Sequence, residues 1–460
     1  MSSQTLAVTR FRRLSRLRCP SYNSKAGLVP LLSGHWKRCL WLLVLAMLLR
    51  LCFLIRQREA TDFGVVDSYA AFEMVVVGVT ALALYASGAL RKLGGLLRGS
   101  SLLMGLGLYV LGVFSAVWSP LRAYALFRSA EALIMILAVS TLIFAARSNR
   151  SAEKALFVLF AALQILTIGD LLLRSGTGIT LRTFHTNSYS ISAAMVVCYC
   201  TVEYIGRRDR LHGVFLVLSL ATLVLGTSAG SNIAALTGLA IGMTSVPRIR
   251  TYGFAFIALL AASALLVNTE QVKQVLMPGK TQEEISSLSA RTSLWEDYLQ
   301  SFIRHPVLGQ GFAVTPRISQ LYETNSHNSV VAVAAGLGML GLSVMSMWML
   351  ALVRDCVRVA TYNQGIGAGC IAALIAGLVN CLSCAFIGEG LSGGTFMFFA
   401  FHAYLIRMLI MPETPGCTLL RSGSDQERAS TGKAIHPQRS RRPARKVGLR
   451  FAASMPRGSM

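Results

Sequence analysis

The chain has 460 residues, of which 54% are hydrophobic and only 14% charged, and its formal net charge is +24. Soluble proteins carry about 25% charged residues, so this composition argues against a soluble domain. The basic residues lie in two tails and in short connections between apolar stretches, with no basic patch interleaved with aromatics. This distribution argues against a nucleic-acid partner and favours a lipid bilayer.

Long apolar stretches follow one another along the chain, each close to the roughly 20 residues that cross a bilayer as a helix. Because backbone polar groups must be paired inside lipid, these stretches are predicted to be helices. We predict about twelve crossings, at residues 39–55, 68–90, 101–118, 125–146, 155–174, 188–205, 212–228, 230–246, 252–268, 329–352, 365–387 and 392–411. The predicted fold class is therefore all-α, a polytopic integral membrane protein.

Two basic tails flank this transmembrane domain of residues 39–411. Residues 1–38 lack an early hydrophobic core with a small-residue cleavage site, which favours a cytoplasmic tail over a cleaved signal. Residues 412–460 are rich in Arg, Ser, Gly and Pro and are predicted to be a disordered cytoplasmic tail. With both tails inside, every inner connection between crossings carries Arg or Lys, as the positive-inside rule requires.

One large outer loop, at about residues 268–328, interrupts the crossings. Within residues 283–304 apolar side chains recur at helical spacing, while the other positions are polar. This pattern predicts an amphipathic helix lying on the outer membrane surface. Pro306 follows it, and the residue before a proline avoids helical geometry, so the helix is predicted to end there.

An arginine and a tryptophan lie on this predicted helix, at Arg291 and Trp295. A guanidinium suits phosphate because its planar fork donates two parallel hydrogen bonds. Arg291 could equally be a solvated charge paired with Glu296 or Asp297. Trp295 could anchor the helix in the membrane interface, which is favoured over stacking on a sugar.

A His-Asn pair, His327 and Asn328, ends the loop at the start of the next crossing. An imidazole suits proton transfer because its pKa lies near neutrality. The alternative is that His327 only neighbours a helix cap. Arg291 and His327 together form a candidate anion-plus-base site at the outer surface.

Other charged side chains have simpler interpretations. Arg128 and Glu131 lie three residues apart inside the fourth predicted crossing, which favours a structural ion pair. Asp170 and Arg174 are predicted to pair near the outer surface. Glu73 lies near an outer helix end and is predicted to be solvated. Cys381 and Cys384 have redox or metal spacing, but in an apolar helix they are interpreted as small packing residues.

Four sequence stretches occur in order in and after the loop: Ala290-Arg-Thr-Ser-Leu-Trp295, His305-Pro-Val-Leu-Gly-Gln-Gly-Phe312, His327-Asn-Ser-Val-Val331 and Gly336-Leu-Gly-Met-Leu-Gly341. This order resembles the O-antigen ligase and polymerase superfamily, and within it the ExoQ-type exopolysaccharide polymerases. Further similar segments are residues 115–120 with Arg128, residues 182–187, and Glu389, so the resemblance spans about residues 115–389. A family Ser-Arg-Gly segment is replaced here by Thr227-Ser-Ala-Gly-Ser-Asn232, which lacks the arginine and fits the exopolysaccharide branch better.

The resemblance implies an enzyme of the bacterial inner membrane that acts at its outer face. It implies transfer of a glycan from an undecaprenyl-diphosphate carrier to a polysaccharide acceptor, with no metal and no cofactor. In this reading two arginines bind the diphosphate, His327 accepts the proton of the acceptor hydroxyl, and Glu389 orients His327 or the acceptor. The implied catalytic residues are His327, Arg291 and Glu389, and the implied substrate-binding residues are Arg182, His185, Asn328 and Trp295.

Three functions remain open at this point. The first is a polymerase of exopolysaccharide, and the second is a ligase that attaches O-polysaccharide to lipid A core. The third, a glycolipid flippase or transporter, is disfavoured because the chain shows no internal repeat and its candidate polar groups gather at one face. Proteins that regulate chain length or export the glycan are further candidate partners.

Overall fold

The computed structural model describes residues 31–49, 68–174, 187–226, 228–246, 249–265, 291–318, 326–362 and 367–411. Within these ranges the secondary structure is helical, with no strand, which confirms the predicted all-α class. A short 3-10 helix, Ser115–Val117, extends the fourth helix. In chain order the α-helices are α1 (Gly34–Leu49), α2 (Ser68–Ala86), α3 (Ala89–Leu96), α4 (Ser101–Phe114), α5 (Arg122–Phe144), α6 (Asn149–Arg174), α7 (Asn187–Arg207), α8 (Arg210–Leu225), α9 (Ala229–Thr244), α10 (Arg250–Leu265), α11 (Arg291–Arg304), α12 (Thr315–Ile318), α13 (Ser329–Tyr362), α14 (Ala368–Asn380) and α15 (Gly393–Ile410).

Several helices are long and apolar enough to cross a membrane. Among the described residues, α5, α6, α7, α13 and α15 meet that criterion, and α2 with α3 forms a sixth span if this pair, bent by 74°, crosses as one. These helices confirm a polytopic membrane protein. Each predicted crossing coincides with a helix, but several of these helices are short, so the count of about twelve crossings stays a prediction.

The helix α15 lies at the centre of the bundle. Nearly every residue from Gly393 to Met408 is buried, and the helix packs against α5, α6, α7, α13 and α14. Because α15 is buried along this length, it is surrounded by other helices rather than by lipid. Near its C-terminal end Arg407 is buried too, and its guanidinium donates to the carbonyls of Phe144 and Ala146 at 2.9 Å each.

Small residues let α9, α14 and α7 approach closely. A Cβ at Gly238 would lie 2.6 Å from the carbonyl oxygen of Ala372, and one at Gly242 would lie 2.4 Å from the Cβ of that alanine. Across the same contact the thiol of Cys198 donates to the carbonyl of Ala235 at 3.2 Å. Such close backbone contacts are how helices associate in a bilayer, where no hydrophobic force drives them together.

The helix α13 is broken at Gly338, which was not predicted. Gly338 has φ 63° and ψ −159°, a conformation that L side chains rarely adopt, and a Cβ there would lie 2.4 Å from the carbonyl oxygen of Val307. The N–H groups of Met339 and Leu340 donate instead to the carbonyls of Pro306 and Val307, at 2.7 and 3.2 Å. The 24 residues after the break still suffice to cross a bilayer.

The loop after α11 fills this break from both sides. The N–H groups of Gln310 and Gly311 donate to the carbonyls of Ala335 and Gly336, at 3.1 and 2.8 Å, just before the break. The backbone groups that the interrupted helix leaves unpaired thus find partners in this loop, as buried backbone requires. The Pro-x-x-Gly-x-Gly and Gly-x-Gly stretches of the sequence therefore form one interlocked unit.

The helix α14 ends at Asn380, seven residues earlier than predicted, so Cys381 and Cys384 lie in a turn rather than in an apolar helix. The start of α13 explains the early end. The N–H of Ser329 donates to the carbonyl of Cys381 at 2.7 Å, and the Ser329 hydroxyl accepts from the N–H of Ile387 at 3.1 Å. These bonds fold the chain after α14 back across the first turn of α13.

Candidate functional site

Arg291 is the first residue of α11 and lies against the turn that follows α14. Its Nη1 donates to the carbonyl of Ser383 at 3.1 Å. The alternative of a pair with Glu296 or Asp297 is not what the structure shows, because the salt bridges among the described residues do not include Arg291. Burial lowers the pKa of this guanidinium, so a nearby anion would stabilise it. Arg291 therefore keeps hydrogen-bonding capacity for an anionic ligand.

Trp295 lies one turn further along α11 and is half-buried. Its indole N–H donates to the carbonyl of Ser326 at 2.7 Å. A membrane anchor would point its indole N–H at the lipid interface, whereas here the N–H is bonded to the backbone of Ser326. Leu294 and Tyr298 are buried on the same helix and pack against Ala335 of α13. The apolar face of α11 formed by Leu294 and Tyr298 thus packs on α13 rather than on lipid.

His327 is held between two residues whose backbone and side chains are fixed. Asn328 caps α13, since its Oδ1 accepts from the N–H groups of Val330 and Val331 at 2.9 and 3.2 Å. Its Nδ2 also donates to the carbonyl of Leu382 at 3.3 Å. The cap is therefore formed by Asn328, and His327 is its neighbour, so a role for the imidazole in proton transfer stays a prediction.

The backbone of His327 is left-handed, with φ 50°. This conformation is uncommon for a residue other than glycine, and such strain is kept where the surroundings determine it, often at functional sites. The side chain of His327 is half-buried. The imidazole is thus presented from a strained turn at the N-terminal end of α13.

Glu389 reaches this turn from the segment between α14 and α15. Its Oε1 accepts from the N–H of Ser326 at 3.2 Å and from the Ser326 hydroxyl at 3.1 Å. Burial raises the pKa of Glu389 to about 8, and the two bonds from Ser326 oppose that rise. Glu389 therefore positions the residue immediately before His327, and near neutral pH a large part of its population carries the proton.

A second group of polar side chains lies beside these residues, and of its members the sequence had indicated only Arg128. Two guanidinium groups, those of Arg128 and Arg317, lie 5.4 and 5.5 Å from the centroid of the Tyr124 ring. Arg317 also donates to the Tyr124 hydroxyl at 3.3 Å. Burial raises the pKa of Tyr298, and the nearby Glu389 raises this pKa further, whereas Arg317 lowers it. The site thus extends from Glu389 towards α5 and α12.

The predicted pair of Arg128 and Glu131 is confirmed, with Nη1 and Oε2 separated by 3.3 Å. The prediction that Glu73 is solvated is wrong. Glu73 is buried and lies 3.7 Å from the same Nη1 of Arg128, because α2 packs against α5. Two carboxyl groups therefore share one guanidinium inside the bundle.

The structure brings together five of the predicted site residues. Trp295 and Glu389 are bonded to Ser326, directly before His327. Asn328, directly after His327, and Arg291 are bonded to two successive carbonyls in the turn after α14. Arg182 and His185, and the side chains of Asp170 and Arg174, lie outside the described residues, so their predictions stay predictions. In the described part of the chain, no three His, Cys, Asp or Glu side chains are grouped as metal ligands.

Sequence reasoning missed the serines that join these parts. Ser326 links Trp295 to Glu389, and Ser329 links α13 to the chain after α14. The Ser-His-Asn-Ser order around His327 was a signal, because hydroxyls flanking a helix start often bond the backbone. Ser383, which contacts Arg291 through its carbonyl, gave no such signal.

A family model described as O-antigen ligase matches residues 214–346. The matched stretch contains α11, His327, Asn328 and the break in α13, which are the centre of the geometry described above. Residues 214–346 therefore match an O-antigen ligase domain. This finding confirms the resemblance to the O-antigen ligase and polymerase superfamily, whose members process lipid-linked glycans in membranes. Glu389 and Arg128 lie outside the residues that match the O-antigen ligase domain, and no curated protein matches the chain.

Proposed function

We propose that this protein is a membrane glycan polymerase of exopolysaccharide biosynthesis, close to the ExoQ type. It transfers an undecaprenyl-diphosphate-linked oligosaccharide to a glycan acceptor at the outer face of the bacterial inner membrane. Both termini lie in the cytoplasm in this proposal, and the O-antigen ligase domain supplies the site.

One observation carries the proposal. His327 lies between Ser326 and Asn328, which are both held by side-chain hydrogen bonds, and the half-buried Arg291 contacts the same turn after α14 as Asn328 does. Ser326 is bonded by Trp295 and Glu389, and Asn328 is bonded to α13 and to Leu382. A base must be held within hydrogen-bond reach of the proton it takes, and rigid neighbours supply that positioning. The left-handed backbone of His327 is a strained conformation of the kind that functional sites often keep.

The reaction is a displacement at the anomeric carbon of the lipid-linked sugar. The acceptor hydroxyl oxygen bonds to that carbon, the bond from carbon to the diphosphate oxygen breaks, and the diphosphate leaves with the bonding electrons. His327 accepts the hydroxyl proton. Arg291, with Arg182 from a neighbouring outer connection, stabilises the negative charge of the departing diphosphate. Two guanidinium groups supply this charge without a metal ion, so the proposed reaction is metal-independent.

Glu389 is assigned a positioning role. Its bonds to Ser326 fix the backbone before His327, and a neutral carboxyl group beside a bound diphosphate would repel it less than a carboxylate would. Trp295 is also assigned a positioning role, because its indole N–H holds the carbonyl of Ser326. Asn328 and His185 remain candidate contacts to substrate.

Two alternative functions, a ligase and a flippase, are distinguished from the polymerase by the experiment described below. A ligase would use the same site but a lipid A core acceptor, and a flippase would move the lipid-linked glycan without chemistry. The gathering of His327, Arg291 and Glu389 at one end of the bundle favours chemistry at one face over passage through the centre. Regulators of chain length and export proteins are the proposed partners.

The glycan profile of a deletion strain tests the proposal and separates the alternatives. A polymerase predicts loss of long exopolysaccharide, intact long-chain lipopolysaccharide, and single lipid-linked units that accumulate in the outer leaflet. Loss of lipopolysaccharide O-chains with normal exopolysaccharide would indicate a ligase. Accumulation of the lipid-linked units in the inner leaflet would indicate a flippase. Chelation of divalent ions during an in vitro assay should leave the rate unchanged.

A further inference from the structure

We infer that a cleft formed by the end of α4, the start of α5 and the loop after α11 binds acidic sugar units of the glycan, away from the reacting bond. The cleft has a volume of about 610 Å³, within the range of about 300–1,000 Å³ that is usual for ligand sites. Its lining includes Trp118, Ser119, Arg122, His305 and Gln310. This inference rests on the proposed function and names a second part of the same substrate's binding surface.

The lining has the groups that a pyranose ring requires. The indole N–H of Trp118 donates to the carbonyl of Leu308 at 3.1 Å, so the ring is held where it lines the cleft, and an aromatic ring suits stacking on a sugar. The Oε1 of Gln310 is buried and accepts no hydrogen bond from the described residues. An unsatisfied buried acceptor is costly, and a sugar hydroxyl that donates to it would remove that cost.

The charge of the cleft selects an acidic sugar. Arg122 and His305 both line it and both are exposed, and no carboxylate is among the described residues of the lining. Arg122 takes part in none of the salt bridges found among the described residues. A guanidinium without a carboxylate partner at the mouth of a sugar-sized cleft suits a carboxyl or other acidic substituent.

The cleft is separate from the site at His327 but connected to it by α13. Gln310 is bonded through its N–H to Ala335 at 3.1 Å, and the next residue is bonded to Gly336. Asn328 and Gly336 are eight positions apart, which corresponds to roughly 12 Å along a helix. A ligand in the cleft therefore cannot reach the reacting atoms, whereas one oligosaccharide could occupy both places.

The test measures chain length in a deletion strain that expresses the full-length protein. Arg122→Gln and Gln310→Ala are compared with Arg304→Gln, which changes an exposed arginine of α11 outside the cleft. We expect shorter polymer from both cleft variants at normal protein level, and an unchanged distribution from Arg304→Gln. Polymer of wild-type length from both cleft variants would overturn the inference.

A binding measurement keeps this inference distinguishable from the proposed function. Short oligosaccharides cut from the cells' own secreted polymer, before and after chemical reduction of their carboxyl groups, are titrated against the purified full-length protein. Because an exposed ion pair contributes up to about 1 kcal/mol, Arg122→Gln should weaken binding of the untreated oligosaccharides by up to about fivefold, and carboxyl reduction should do the same to the wild type. Equal binding by wild type and Arg122→Gln, or no effect of reduction, would refute the acidic-sugar assignment. If His327→Ala leaves polymer unchanged while Arg122→Gln and carboxyl reduction both weaken binding, the proposed function fails and the assignment of the cleft to acidic sugars still holds.

Discussion

The indole N–H of Trp295 donates to the carbonyl of Ser326 at 2.7 Å, across 31 residues of sequence. Ser326 in turn donates to Glu389, which lies 63 residues further on. Three separate parts of the chain therefore meet at the residue before His327. The position of the imidazole depends on all three, and each can be changed without touching the histidine itself.

Arg291→Lys should abolish most of the activity although it keeps the charge. An ammonium group lacks the planar fork that binds two phosphate oxygens, and losing a preorganised donor to a transition state costs about a hundredfold or more. Polymer yield, normalised to the amount of protein in the membrane, measures the effect. Arg304→Lys on the same helix is the matched control and should keep wild-type yield. Near-normal polymer from both Arg291→Lys and Arg291→Ala would exclude the proposed role of Arg291.

Trp295→Phe should lower activity while the fold is kept. Phenylalanine retains an aromatic ring on α11 but cannot donate to Ser326, which costs about 0.5–1.5 kcal/mol of stability. The expected result is a small fall in Tm of the purified protein and a larger fall in turnover, because the backbone before His327 loses one support. Full turnover at a lowered Tm would mean that Trp295 stabilises the fold and does not position the histidine.

Glu389→Gln should change how stability depends on pH. The pKa of Glu389 is raised from 4.5 to about 8 by burial, so between these values the folded protein binds more protons at this group than the unfolded chain. Stability from this group is therefore complete below the unfolded pKa and falls as pH rises towards about 8. Glutamine cannot lose a proton and can still accept from Ser326.

The measurement for this prediction is Tm in detergent from about pH 5 to about pH 9. Relative to the wild type, Glu389→Gln should gain stability steadily as pH increases. Parallel pH curves for the two proteins would show that Glu389 titrates at its ordinary pKa and is ionised in the folded state.

Gly338→Ala should disrupt the break in α13. The backbone at Gly338 has φ 63°, and an added Cβ would lie 2.4 Å from the carbonyl oxygen of Val307. The loop that fills the break would have to move, at a cost of about 1–3 kcal/mol from the backbone conformation alone. Gly107→Ala is the control, since a Cβ there meets no atom within 4 Å and alanine favours a helix by about 1 kcal/mol. Amounts of folded protein, measured by size-exclusion chromatography of detergent extracts, should fall for Gly338→Ala alone.

Much of the bundle and part of the site follow from the sequence. Apolar segments of membrane length predict helices because lipid leaves the backbone no other partner, and a described helix coincides with each predicted crossing. The spacing of Arg291 and Trp295 predicts a shared helix because both lie in one amphipathic repeat. His327 is placed near the start of α13 by its position two residues before that helix.

Non-local bonds explain what the sequence could not predict. The break at Gly338 depends on carbonyls of Pro306 and Val307 that come from another element. The residues after Asn380 are apolar enough for a helix, yet Ser329 binds their backbone and ends α14 early. Local composition carries no information about such partners. Periodicity alone therefore predicts an unbroken α13 and an α14 that continues beyond Asn380.

The most direct test of the account is a transfer assay with the purified full-length protein in lipid vesicles. Undecaprenyl-diphosphate-linked repeat units are supplied, and polymer is measured by gel electrophoresis for the wild type and for His327→Ala. The account predicts polymer from the wild type and only unreacted lipid-linked units with His327→Ala. Polymer formed at the wild-type rate by a folded His327→Ala protein would contradict it.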